Sequence, residues 1–114
     1  MDIDITIDKE ELCSVVHVSG KIDALTSEAL EDRLLRMIED GEKQIILDLE
    51  NTVYISSAGL RVLIVVTKYL YDSGSFCLCN ASDNVQEIIE MAGFNAFMTL
   101  YDDLETAKNS IIKE

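Results

Sequence analysis

Tyr54-Ile55-Ser56-Ser57-Ala58-Gly59-Leu60-Arg61-Val62-Leu63 is the stretch of this chain whose residue types and order point most directly to chemistry. Two adjacent hydroxyls stand where an extended run gives way to a helical one. Ser56 is placed to cap that helix, and Ser57 to occupy its first position. Unpaired backbone N–H groups and the positive end of the helix dipole converge at such a point. It suits an anion, including a phosphate carried by Ser57 itself. A serine that caps the helix and does nothing more accounts for the same residues.

Other reactive side chains are few. The three cysteines, Cys13, Cys77 and Cys79, are an odd number and too sparse for a disulfide framework. Cys77-x-Cys79 is not the Cys-x-x-Cys spacing of redox proteins. On a strand its two thiols share one face and read as small buried apolar groups. His17 is the only histidine, so no His cluster offers itself to zinc. A dyad of Cys13 with His17 is not expected, strand neighbours being assigned to opposite faces. No Gly-rich phosphate loop is present. The sequence therefore implies no metal and no cofactor.

The 114 residues fit one domain, 1–114, read as a complete unit. A hydrophobic fraction of 48% fills a core. With 22 acidic and 9 basic side chains the formal net charge is −13. That balance argues against nucleic acid, whose phosphates require clustered Lys and Arg. It argues equally against an anionic membrane surface. No apolar run approaches the roughly 20 residues of a membrane helix, so no membrane insertion is expected. The N-terminus has neither a basic nor an apolar signal region. The expected location is the cytoplasm, with reduced thiols.

The elements that position Ser56 and Ser57 follow from periodicity. Ile3, Ile5 and Ile7 alternate with Asp2, Asp4, Thr6 and Asp8, the pattern of a half-buried strand with an acid-protected edge. Residues 12–19 form a second strand ending at Gly20, and the pair makes an antiparallel hairpin. A helix begins near Thr26 as N-cap, buries Leu30, Leu34, Met37 and Ile38, and ends at Gly41. Gln44 to Leu49 is a central strand, and Glu50 to Ile55 a loop that delivers the chain to the serines. A helix then runs to about Asp72, followed by a strand from Ser75 to Asn80. Asp83 caps a helix through Met91, ended by Gly93. Ala96 to Leu100 is a short extended piece. Asp102 or Asp103 opens a last helix, with Leu104, Ala107 and Ile111 facing inward. Alternating strands and helices after the hairpin predict an α/β fold. Its sheet is mixed and mostly parallel, of four to five strands with about four helices.

The helix after the serines is apolar over much of its circumference. At 100° per residue, Leu60, Leu63, Ile64, Val66, Thr67, Leu70 and Tyr71 share an inward face. Val65 and Tyr69 fall outside it, beside Arg61 and Lys68. An apolar strip flanked by two of the few cations fits a protein interface. Cover by neighbouring elements is the alternative.

The Tyr54–Leu63 segment resembles the signature of the anti-sigma factor antagonists, the bacterial STAS-domain family. Gly20-Lys21-Ile22-Asp23-Ala24-Leu25-Thr26 resembles that family's second motif. Their spacing and the order of elements extend the resemblance over nearly the whole chain. It implies a STAS-type fold and a module without catalysis of its own. In that family a GHKL-type anti-sigma factor serine kinase phosphorylates one serine at this turn. The unmodified domain binds the kinase and frees the sigma factor, and a PP2C-type phosphatase resets the switch. Carried onto this chain, the acceptor is Ser57, with Ser56 the alternative. Ser56 stands where the best-known members have Asp, and Ala58 replaces a second Ser or Thr. The partner-binding residues implied are Asp23, Ser56, Ser57, Ala58, Gly59, Leu60, Arg61, Val65, Lys68 and Tyr69. A second reading keeps the fold and makes the chain an interaction subunit of a stressosome-like or lipid-transport assembly. A third is a small phosphoryl-carrying enzyme. It lacks an activating base, since no His adjoins Ser57 in the sequence.

Overall fold

The computed structural model describes residues 3–112. A five-stranded sheet has the order β1-β2-β3-β4-β5: β1 (Ile3–Lys9), β2 (Ser14–Ile22), β3 (Gln44–Ile55), β4 (Ser75–Cys79) and β5 (Thr99–Tyr101). β1 pairs antiparallel with β2, and every later pairing is parallel. The helices are α1 (Thr26–Glu39), α2 (Ser57–Leu70), α3 (Asp83–Met91) and α4 (Leu104–Ile112). The α/β architecture read from the sequence, with its N-terminal hairpin, is thus present, with five strands and four α-helices among the described residues.

Each crossover steps to the next strand in one direction, so a constant hand places α1, α2 and α3 on the same face. The main core lies there, with Val16, Val18, Leu47, Leu49 and Leu78 of the sheet against Leu30, Leu34, Leu63, Val66, Val85 and Ile89 of the helices. α4 covers the other face. Its Ala107, with Leu104 and Ile111, packs on Cys13, Val15, Ile46, Cys77 and Cys79. Cys77 and Cys79 share a face as expected. Burial pushes both thiols up to about 12, and Cys13 is raised by the same cause. The opposite-face placement of Cys13 and His17 does not hold. Residues four apart along an extended chain return to one face, separated by roughly 13 Å along it. The outward placement of Asp4, Thr6 and Asp8 on β1 is observed, whereas Asp2 lies outside the described residues.

Several boundaries differ from the periodicity. β2 continues past Gly20 to Ile22, because Gly20 takes φ 115° and the register against β3 shifts there without ending the pairing. Residues 50–55 are not a loop but the second half of β3. Thr52 is buried and donates its hydroxyl to the Val18 carbonyl at 2.8 Å. Ser82, not Asp83, caps α3 by accepting from Val85 N–H at 3.2 Å. The segment read as extended from Ala96 begins with a 3-10 turn, Phe94–Ala96, and only Thr99–Tyr101 joins the sheet. Of the two acids before α4, Asp103 is the cap and accepts from Thr106 N–H at 2.8 Å. In α2, Tyr71 is 80% exposed and Val62 is buried. Tyr71 keeps helical backbone angles on the Ile64 and Thr67 side, where an open groove leaves it uncovered, and α1 packs over the Val62 side.

Candidate functional site

The carboxyl ends of β2 and β3 carry the two sequence motifs side by side, where open α/β sheets commonly place ligands. Ser56 N–H donates to the Ile22 carbonyl at 2.8 Å, which fixes the start of α2 next to Asp23. Ser56 has extended backbone angles and caps α2. Its Oγ accepts from Gly59 N–H at 3.2 Å, and its carbonyl from Leu60 N–H at 2.9 Å. The donors of Ser57 and Ala58 are left free, as a first helical turn requires. Ser57 occupies the first helical position and is exposed, whereas Ser56 is half-buried.

Gly59 lets this turn sit where it does. A Cβ there would stand 2.6 Å from Ile22 Cγ2 and 2.7 Å from Ile55 Cγ1. Only glycine brings α2 this close to the ends of both strands. Leu60, buried like Gly59, anchors the turn from beneath. Ala58 is half-buried and lines a groove of about 240 Å³ with Arg61 and Val62 of α2 and Ala24, Ser27, Glu28 and Glu31 on the α1 side.

Asp23 holds the neighbouring turn. Its Oδ1 accepts from Leu25 N–H at 3.0 Å and Thr26 N–H at 2.9 Å. Thr26 Oγ1 accepts from Asp23 N–H at 2.8 Å and donates to the Lys21 carbonyl at 2.7 Å. The cap of α1 is therefore the Asp23 side chain, with Thr26 as the reciprocal partner, and Thr26 is not the N-cap that sequence spacing suggested. The Thr26 N–H, foremost among these bonds, holds the Asp23 carboxyl below its ordinary range.

On the outer side of α2, Arg61, Lys68 and Tyr69 are exposed and Val65 is half-buried, one stripe at helical spacing. Beside it, sharing Lys68, lies an open groove of about 560 Å³, lined by Ile64, Thr67, Lys68, Tyr71 and Phe97. Leu25, Val53 and Tyr54, at the carboxyl end of β2 and β3, are 71%, 57% and 43% exposed. Sequence reading passed over Leu25 and Val53. Strand alternation would put Val53 on the inward face with Leu49 and Ile55, and its exposure follows from the register shifts between β2 and β3. Among the described residues, no group of three or more His, Cys, Asp or Glu is placed to hold a metal ion. No helix among them is long and apolar enough to cross a membrane.

Comparison with known proteins agrees with this arrangement. The family model described as STAS domain matches residues 4–107. The protein BtrV of Bordetella bronchiseptica, named as a candidate anti-sigma factor antagonist, is 34% identical over 104 residues, covering 90% of each chain. The anti-sigma-F factor antagonist RsfB of Mycobacterium tuberculosis is 26% identical over 106 residues, covering 90% of this chain and 87% of its own. A crystal structure of an anti-sigma factor antagonist from Mycobacterium paratuberculosis superposes with a TM-score of 0.90 at 25% identity. It covers 96% of this chain and 94% of that one.

Proposed function

This chain belongs to the STAS domain family, and we propose that it is an anti-sigma factor antagonist, one domain over residues 1–114, switched by phosphorylation of Ser57. Unphosphorylated, it binds a GHKL-type anti-sigma factor kinase in the cytoplasm, and the sigma factor is released. The kinase then uses ATP to phosphorylate Ser57, and binding ends. A PP2C-type phosphatase restores the hydroxyl. The chain itself catalyses nothing in this cycle.

The observation that carries the reading is the division of labour between the two serines. Ser56 Oγ is engaged with Gly59 N–H and half-buried, while Ser57 is exposed at the first turn. A kinase reaches Ser57 without undoing the cap. The contact surface is Asp23, the turn from Ser56 to Gly59 seated on Leu60, and the stripe of Arg61, Val65, Lys68 and Tyr69. Relatives named as anti-sigma factor antagonists along nearly their full length support the class of partner.

The switch follows from charge. A phosphoserine adds about −1.5 to −2 at neutral pH. The free N–H groups and dipole of α2 tolerate that charge, so the fold persists. Burying the dianion against a partner costs desolvation that nothing on this chain repays.

Intact mass after incubation with the candidate kinases of the source genome tests the assignment. Wild type and Ser56→Ala gain one phosphate, and Ser57→Ala gains none. A phosphate that survives in Ser57→Ala overturns the choice of acceptor. Ser57→Asp is expected to melt within a few degrees of wild type and to lose kinase binding in calorimetry. A stable Ser57→Asp chain that binds as wild type does refutes the electrostatic account.

A further inference from the structure

The sheet face that α4 only partly covers carries a second polar arrangement, away from the switch turn. His17 stands on β2 in register between Thr6 of β1 and Asp48 of β3. Its Nδ1 lies 2.7 Å from Asp48 Oδ2, and its Nε2 lies 3.0 Å from Asp8 Oδ2. A neutral imidazole owns one N–H. It satisfies one of these carboxylates and turns a bare lone pair toward the other. Only the doubly protonated ring donates to both.

The two carboxylates are held differently. Asp48 is nearly buried, and its Oδ1 accepts from Glu50 N–H and from Asn80 Nδ2, each at 3.0 Å. Those bonds leave Oδ2 aimed at His17. Asn80 adopts φ 61°, a left-handed conformation that asparagine tolerates better than most residues. Asp8 lies on the edge strand, with its side chain 66% exposed. The network therefore stitches β1, β2, β3 and the end of β4 together.

We infer that His17 is an imidazolium at neutral pH and forms a clasp that ties the edge strand β1 to β3 across β2, a clasp that opens when the ring loses its proton. The surrounding charges agree. Asp8 faces it from β1 and Asp48 from β3, with Asp4 and Glu50 further along those same strands. Cys79 of β4 adjoins Asp48 and Glu50, together with Asp103 at the start of α4. Lys108 of α4 is engaged by Glu10 at 2.8 Å. Burial alone would lower the His17 pKa. The hydrogen bonds to Asp48 and Asp8, with the charges of both, outweigh it and raise the value above the ordinary histidine range. A folded-state pKa above the unfolded one gives a definite sign. The clasp contributes in full below the ordinary histidine pKa and is lost as pH rises through the folded value. Among the described residues β1 pairs with β2 alone, so the loosening falls on β1.

The test uses the full chain and does not depend on the proposed function. His17 is the one histidine, so nitrogen-15 NMR of the imidazole gives a single, unambiguous ring. Both ring nitrogens are expected to be protonated at pH 7, with the titration midpoint above that of a free histidine. Asp8→Asn, a change at an exposed side chain that the fold survives, lowers the midpoint. Hydrogen exchange at β1 amides is expected to exceed the ordinary base-catalysed increase above the midpoint. In His17→Gln that extra step is absent. A ring with one N–H at pH 7, or a midpoint that Asp8→Asn leaves in place, overturns the clasp.

Discussion

Replacing Gly59 by alanine adds one methyl group, and the structure says where it goes. The new Cβ stands 2.6 Å from Ile22 Cγ2 and 2.7 Å from Ile55 Cγ1. Both isoleucines are buried, at 0% and 1% exposure. Their γ carbons are one bond from Cβ, so they cannot yield without rotating χ1, which is stiff in a β-branched side chain. The turn must therefore rise off the strand ends. Overpacking of this kind costs about 1–3 kcal/mol, and the lack of a soft neighbour points to the upper end. Alanine recovers at most about 1 kcal/mol of helix propensity, the interior value, in this first turn. The net expectation is a loss of about 2 kcal/mol, or roughly 8–10 °C in Tm for a domain of this size. Urea unfolding followed by circular dichroism measures it directly. Adding Ile22→Ala to Gly59→Ala should make the pair less destabilising than the sum of the singles by about 1 kcal/mol, since the clash is then relieved. A Gly59→Ala chain more stable than wild type would mean that propensity alone operates. The close approach of α2 to β2 and β3 would then not be a constraint on the Ser56–Gly59 turn.

Three further outcomes are expected. Ser56→Ala removes the acceptor for Gly59 N–H and should cost about 1 kcal/mol in urea unfolding, with Ser56→Asp restoring most of it because Asp is an equally good cap. The Asp23 carboxyl is held below its ordinary range by the Thr26 N–H. Its contribution is therefore complete above the ordinary carboxylate pKa and is lost as pH falls through the lower folded value. An acid-unfolding series should show that limb in wild type and a flattened one in Asp23→Asn. Cys77 and Cys79, pushed up to about 12 by burial, should resist alkylation at pH 8 in the native chain and react once urea unfolds it. Rapid native labelling of either would contradict their packing under α4.

Periodicity carried the order and class of the elements because the burial faces are regular. Ile3, Ile5 and Ile7 alternate cleanly, and Leu30, Leu34 and Met37 recur at helical spacing. It failed where a side chain serves the backbone in place of the core. Thr26 reads as a cap from its position, yet Asp23 three residues earlier takes the N–H groups, and Thr26 answers from inside the turn. Nor does alternation survive a bulge. The register shifts after His17 and Gly20 break the period along β2 and β3, so residues 50–55 lose the look of a strand. The serine pair was legible from residue type and order. What distinguishes the two hydroxyls, one held and one free, is three-dimensional. The His17 clasp was equally hidden, since Asp8 and Asp48 lie 9 and 31 residues from it in sequence and meet it only through strand pairing.

Sites for a phosphate on Ser57 can be weighed charge by charge. In its favour are the free N–H groups of the α2 first turn, the helix dipole, and Arg61 one turn further along. Against it are Asp23 on the adjoining turn and Glu28 and Glu31 in the groove shared with Arg61. Arg61 lines the same groove as Glu28 and Glu31 and offsets them there, while Ser57 is exposed beside the free N–H groups of the turn. In the proposed cycle a phosphate on exposed Ser57 is outward and hydrated, where its interaction with the fold is small. An outward dianion on a chain already at −13 changes the domain little and its approach to any partner greatly. In the proposed cycle, placing the acceptor at an exposed helix start separates the switching of binding from the stability of the fold. Ser57→Asp measures that separation, because its stability and its binding should move independently.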